Sequence, residues 1–389
     1  MSDDEGGGTF TEVTEESWIG RLGKSIAGVG FGIALFLIAF PLLWWNEGRA
    51  VQTYKSLSEG AGAVVSAAVD RVDAANDGKL VHVTGLATTA ETLSDPTFGI
   101  SVQALKLDRK VRMYQWQEKS TTKEEKKLGG GKTKVTEYTY EKAWADRLID
   151  SAKFKRPEDH QNPQSMPHTS RTSKAREVTV GGFDLSIGMA GMIGGARPIT
   201  VSSEDVPSKL KEGAMIHEDN YYLGNDPLQP EIGDLQVSFS ETPATQVSIV
   251  AKQSGKGFTA YQTQAGNRVS MLVNGTRTAE EMFQSAQASN QTWSWILRAV
   301  GFLMMFIGLM MVFAPLAVLA DIVPFIGSLV GVGTALIAGL IALPSTLVTI
   351  AIAWIVYRPV LGIVLLVVAL GSLAAVMSMR KSEPEAQPA

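Results

Sequence analysis

An unbroken uncharged run, Ser25–Trp45, constrains this chain more than any other feature. At 1.5 Å rise per residue its length matches a hydrocarbon core about 30 Å thick. The run is longer than the apolar part of a signal peptide, and its exit, PLLWWNEG, lacks a small-residue cleavage pattern. It reads as an uncleaved membrane anchor. Trp18 on one side and Trp44 and Trp45 on the other suit the two membrane–water interfaces, where indole rings settle. Gly28 and Gly32 form a G-x-x-x-G pair that lets a second helix come close.

The apolar residues return at the other end of the chain. A second span covers 293–320, entered through Trp293, Trp295 and Arg298. Asp321 is the sole charge between Arg298 and Arg358. The uncharged stretch Ile322–Val356 exceeds one crossing and carries Pro324 and Pro344. It is read as a short interfacial segment and one kinked span, with Trp354 and Tyr357 at its exit and a tight helical hairpin as the alternative. Tyr357-Arg358-Pro359 then breaks the run, and a fourth span follows over 358–379, its apolar core from Val360 to Met379. Four crossings put both termini on one side. Arg21 and Lys24, with Arg380 and Lys381, assign that side to the cytoplasm, which leaves residues 1–24 an acidic cytoplasmic tail and 380–389 a second tail. Met1–Thr14 and Ser382–Ala389 have disordered compositions.

Residues 46–292 are polar enough to be water-exposed and long enough to bury a core. Their pattern is mostly strands. Lys79–Gly85 alternates with Val81 and Val83 on one face, and Asp234–Ser240 with Leu235, Val237 and Phe239. Val111–Ser120 and Thr136–Trp144 read as aromatic-rich strands joined by a charged, glycine-tipped connection that is expected to be solvated. Thr278 and Glu281 stand at capping-box spacing before a helix that leads into the second span. The fold class is therefore a polytopic α-helical membrane protein of four spans, with a large β-rich α+β extracytoplasmic domain between spans 1 and 2.

The chemistry is sparse. A net charge of −4 offers no basic field for nucleic acid, and the absence of cysteine removes disulfides, thiolate catalysis and Cys-based metal sites. His82, His160, His168 and His217 lack the spacing of a metal-binding helix, so no metal and no cofactor is expected. No G-x-S-x-G, H-E-x-x-H or phosphate loop occurs. Asp159–His168 gathers a carboxylate, two histidines and a serine in a Pro-rich loop. A structured loop is the preferred reading there, with a hydrolase using His160 as the alternative.

Asn46-Glu47-Gly48-Arg49-Ala50 directly after the first run, Gly78–Gly85, Leu93–Ile100, Ala104–Trp116, His160–Met166, Gly233–Ser240 and Trp354–Pro359 occur in that order. Together they resemble the transmembrane protein 43 (LUMA) family over nearly the whole length from Ile33 to Met379. The resemblance implies four spans and a hydrophilic domain between the first two. It also implies a role in organising complexes, with self-association and, in eukaryotes, residence in the endoplasmic reticulum and inner nuclear membrane beside emerin and lamins. It carries over no catalytic residue. Ala- and Gly-rich spans without cysteine point to a bacterial member, in the inner membrane with a periplasmic domain.

The expected function is a non-enzymatic scaffold whose partners are the lipid bilayer, other copies of itself and other membrane proteins. The interaction and junction candidates are Asn46, Glu47, Arg49, Tyr114, Trp116, Arg298 and Arg358. The membrane-interface residues are Trp18, Trp44, Trp45, Trp293, Trp295, Trp354 and Tyr357. Glu47 is expected to pair with a basic group at another span end, Arg358 or Arg298.

Overall fold

A computed structural model of the chain describes residues 8–202, 214–360 and 362–364. The chain divides into two compact units, one mainly β-sheet and one helical. The β unit comprises residues 1–14, 58–124 and 134–284, and the helical unit the rest.

The β unit is built on two large sheets. In the seven-stranded sheet, Thr245–Ser254 pairs antiparallel with Leu80–Thr88, bringing Ile249 opposite Val83 and Ala251 opposite Val81. The inward residues of this alternation are fully buried and pack with Val180, Phe183 and Phe258. The eight-stranded sheet centres on Leu235–Thr242, which lies antiparallel to Lys106–Lys126 with Val237 opposite Val111. Leu235, Val237 and Phe239 enter a second core with Met113, Phe98 and Tyr221. Period-two alternation thus buries one face of each strand, as the sequence pattern requires.

At the edge of this second sheet lies strand β1, Thr9–Glu16, paired with Lys132–Ala145. The acidic head was expected to be disordered as far as Thr14. Instead Glu12 accepts hydrogen bonds from Tyr138 Oη at 3.0 Å and Lys155 Nζ at 3.2 Å, and Phe10 packs 6.0 Å from the Tyr138 ring. The charges of TFTEVTEE that suggest disorder are spent on basic and hydroxyl partners across the sheet edge.

The helical unit contains helices long and apolar enough to cross a membrane. Helix α1, Trp18–Ala63, continues through Pro41 well past the apolar run of 25–45. A short helix, α2 (Ile187–Met192), belongs to the β unit. Helix α3, Ala279–Ala320, opens on the expected capping box, with Thr278 N donating to Glu281 Oε2 at 2.9 Å and Glu281 N to Thr278 Oγ1 at 3.2 Å. Helix α4, Pro324–Tyr357, is one helix that runs through Pro344, so the hairpin alternative is not the structure adopted. The interfacial segment is its first turns, and Pro324 stands at the helix start, where its missing N–H costs nothing. The fourth span predicted for 358–379 lies, beyond its first few residues, outside the described residues.

Helices α1 and α3 meet where both are smallest. A Cβ on Gly32 would stand 2.6 Å from Gly308 O, and one on Gly308 2.6 Å from Gly32 O. Half of the G-x-x-x-G pair is therefore used inside the chain, since only glycine permits this backbone approach. Ala39, Leu43, Met305 and Ala342 form the buried centre of the bundle, with Phe36, Phe302 and Ile350 packed around them.

Candidate functional site

The polar residues that end the first apolar run converge on groups from helices α3 and α4. Asn46 and Glu47 are both 0 % exposed. Two features place them there. Helix α1 does not stop at the end of its apolar stretch, so Asn46–Arg49 stays helical, and α3 brings Asn290, Ser294 and Arg298 past it at i, i+4, i+8 spacing on one face.

Glu47 is the centre. Arg298 Nε donates to its Oε1 at 2.7 Å and Arg298 Nη2 to its Oε2 at 2.9 Å, a two-pronged guanidinium–carboxylate pair. Trp354 Nε1 of α4 donates to the same Oε2 at 2.7 Å. One carboxylate thereby ties three helices. The guanidinium also lies over the rings of Trp295, at 4.7 Å, and Trp354, at 5.6 Å, where the π faces favour a cation. Of the two arginines named for Glu47, Arg298 is its partner and Arg358 is not.

The neighbours complete a lock. Asn46 Nδ2 donates to Ser294 O at 3.1 Å, and Arg49 donates to Asn290 Oδ1 at 3.1 Å and to Asn46 Oδ1 at 3.3 Å. Asn290 Nδ2 returns a bond to Ala50 O at 2.9 Å. Gly48 is where Tyr357 lies against α1: a Cβ there would stand 2.7 Å from Tyr357 Cζ. Tyr357 in turn packs edge-on against Trp44, centroids 5.6 Å apart. Every residue of Asn46-Glu47-Gly48-Arg49 has a specific counterpart on another element. Within this segment Arg49 Nε is buried without a partner.

A second polar cluster lies at the other end of α1 and α3, about 39 Å away along α1 at 1.5 Å per residue. Asp321, 2 % exposed, accepts from Arg21 at 2.5 Å and from Lys126 at 2.6 Å. Burial pushes its carboxyl up, but the hydrogen bonds and charges of Lys126 and Arg21 outweigh that and hold it below the ordinary carboxylate range. Lys126 comes from the glycine-tipped connection, whose residues 125–133 belong to the helical unit. Gly130 O accepts from Arg21 at 2.6 Å, Gly129 N donates to Ile322 O at 3.0 Å, and Trp18 Nε1 donates to Val318 O at 2.8 Å. The connection expected to be solvated is docked, because Lys126 meets a buried carboxylate and free backbone groups of Gly129 and Gly130 meet Ile322 and Arg21.

The other candidates stand apart from the lock. Tyr114 packs on Trp144 in the β unit. Trp116 packs edge-on against His160 at 4.7 Å, and its backbone exchanges two hydrogen bonds with Asn162. His160, buried, is stacked on Tyr140 at 3.8 Å, and its Nδ1 is 3.0 Å from Arg156 O. His168 packs edge-on against Phe98, and burial with the nearby Arg109 charge lowers its pKa. Arg358 lines a cleft beyond α4. Trp45, Trp293 and Trp295 are exposed. Among the described residues no group of His, Asp or Glu side chains is placed to hold a metal ion.

The model of a family described as Transmembrane protein 43 matches residues 113–359. The chain is 35 % identical over 362 residues to Transmembrane protein 43 of Rattus norvegicus, covering 90 % of this chain and 89 % of the relative. It is 35 % identical over 359 residues to that of Homo sapiens, covering 89 % and 88 %, and 30 % identical over 345 residues to the homolog of Drosophila melanogaster, covering 86 % and 90 %. The chain belongs to the transmembrane protein 43 family. No solved structure matches it. It is thus a multi-pass membrane protein of that family with a large β-rich domain, and the family's name carries no enzymatic term. Arg21, Asp321 and Lys126 were not among the candidates the sequence offered. The signal available for Asp321 was its isolation in the stretch 299–357, otherwise free of charge.

Proposed function

We propose that this family member is a non-enzymatic membrane scaffold: a helical anchor carrying a folded domain, which organises other membrane proteins through that domain and through self-association. The fourth crossing over Val360–Met379 and residence in a bacterial inner membrane complete this reading. The observation that carries it is the state of the buried polar groups. Glu47, Arg298 and Trp354 are satisfied by one another, and Asn46 by Ser294 and Arg49; these bonds join helices, which is what a support needs and what a reactive centre, with groups aimed at a substrate, does not.

The hydrolase reading has less support. A catalytic histidine needs a nucleophile within hydrogen-bond reach and one ring edge free for proton transfer. The His160 ring is covered by Tyr140 and abutted by Trp116 instead. The test is extraction of the full chain from its native membrane in several mild detergents, with the mass of the intact particle measured. Particles larger than one chain are expected, and monomers alone in every detergent would overturn the scaffold. His160→Phe keeps the stacking and is expected to leave particle size unchanged. Loss of a lipid- or envelope-hydrolysing activity in that variant would favour the enzyme.

A further inference from the structure

Beyond the end of α4 the chain leaves a cleft of about 600 Å³ on the helical unit. Its walls have two characters. Val51 on α1 and Val360 and Val364 after α4 supply an apolar side, the latter two exposed in this structure. Lys55 and Arg358 supply two cations at the same cleft, and neither side chain meets a carboxylate among the described residues. Tyr54 is exposed beside them.

Depth along α1 decides what these walls face. Lys55 lies about 15 Å beyond Trp45 at 1.5 Å per residue, which is past the aromatic level and into the headgroup layer. Trp44 and Tyr357 pack together next to the cleft and mark that level. The apolar wall lies in the uncharged stretch 360–364, where Val360, Ile363 and Val364 are exposed. Cations above an apolar wall at an aromatic boundary complement an anionic headgroup carried on an acyl chain, and in a bilayer that headgroup is most often a phosphate.

We propose that this cleft binds an anionic glycerophospholipid, its phosphate between Lys55 and Arg358 and one acyl chain along Val51, Val360 and Val364. Charge complementarity selects the lipid class. Two cations without a counter-ion among the described residues would otherwise line one cleft at a membrane surface, and a zwitterionic headgroup neutralises them only in part. The reading is independent of what the protein organises.

The experiment uses the purified full chain in phosphatidylcholine nanodiscs containing a few per cent phosphatidylglycerol. Intact-particle mass spectrometry counts the retained lipids. Wild type is expected to keep phosphatidylglycerol selectively, and Lys55→Gln with Arg358→Gln to bind it about thirtyfold more weakly, the effect of two cations near a membrane surface. If that double variant does not fold, Lys55→Gln alone is expected to lose about fivefold, and the selectivity of the wild type is expected to fall in high salt. Soluble glycerol phosphate, which lacks the acyl chain, is expected not to compete. Equal retention of both lipids would overturn the proposal, as it would if residues 365–379 fill the cleft. So would selectivity unchanged in the variants, or full competition by glycerol phosphate.

Discussion

Replacing Glu47 by alanine tests the lock at its centre. The substitution removes both acceptors of Arg298 and the acceptor of Trp354 Nε1 in one step. A guanidinium whose side chain is 13 % exposed is left without a counter-charge, and an indole N–H without a partner. Truncating one member of a buried ion pair costs ~3–5 kcal/mol, and an orphaned buried donor ~1–3 kcal/mol. These overlap because the same carboxylate serves both. The remaining stacking of Arg298 on Trp295 favours the low end, about 3 kcal/mol. At about 2–4 °C per kcal/mol, the melting temperature in mild detergent should fall by about 6–12 °C, read from Trp fluorescence and from the monodisperse fraction after heating. Glu47→Gln keeps an acceptor but not the charge and should lose roughly half as much. Arg298→Lys keeps the charge but loses the fork and the stacking, and should fall between the two. The exchange Glu47→Arg with Arg298→Glu should recover part of the loss. An alanine variant melting within about 2 °C of wild type, or an exchange no better than the worse single variant, would show that the helices are not held by this pair.

Gly32→Val or Gly308→Val should force α1 and α3 apart, because the added Cβ has backbone 2.6 Å away; loss of ~2 kcal/mol or more is expected, whereas Gly30→Ala, which meets nothing within 4 Å, should be silent. Heat-induced aggregation in detergent distinguishes them, and equal behaviour of all three would refute the crossing. Asp321 should make the helical unit acid-sensitive. Its pKa in the fold lies below the ordinary value of 3.8, so its stabilisation is complete above that value and is lost as pH falls through the lower folded one. Asp321→Asn should lower stability at neutral pH and flatten the melting temperature between pH 5 and about 3; an unchanged acid slope would exclude the carboxylate as its source.

The parts of this fold that were legible in the sequence are those set by short-range rules. Alternation placed Val81, Val83, Leu235, Val237 and Phe239 in the cores, and side-chain spacing alone gave the start of α3 at Thr278. The Glu47–Arg298 pair was accessible because charges near span ends are so few that partners can be counted. What was not legible depends on polar contacts between residues far apart in the chain. Lys126 and Asp321 are separated by 195 positions, and in a segment of mixed Lys and Glu nothing distinguishes a docked lysine from a solvated one. The same holds for β1, whose acidic composition argues for disorder until Tyr138 and Lys155 are placed opposite it. His160 illustrates the converse. A loop rich in reactive residue types proves to use its imidazole as a flat packing surface.

The strand β1 has a topological consequence. Chain from before the first apolar stretch and chain from after it are hydrogen-bonded into one sheet, and a polar sheet does not straddle a bilayer. A helix that crosses the membrane once delivers its two flanks to opposite compartments. A cytoplasmic head with an extracytoplasmic domain and an intact β1 pairing are therefore mutually exclusive. The absence of native cysteine makes the choice directly measurable: Thr11→Cys and Thr259→Cys, both exposed, report their compartments to a membrane-impermeant maleimide in sealed vesicles. Labelling of both from one face keeps the sheet, and labelling from opposite faces means that β1 is released when α1 enters the membrane.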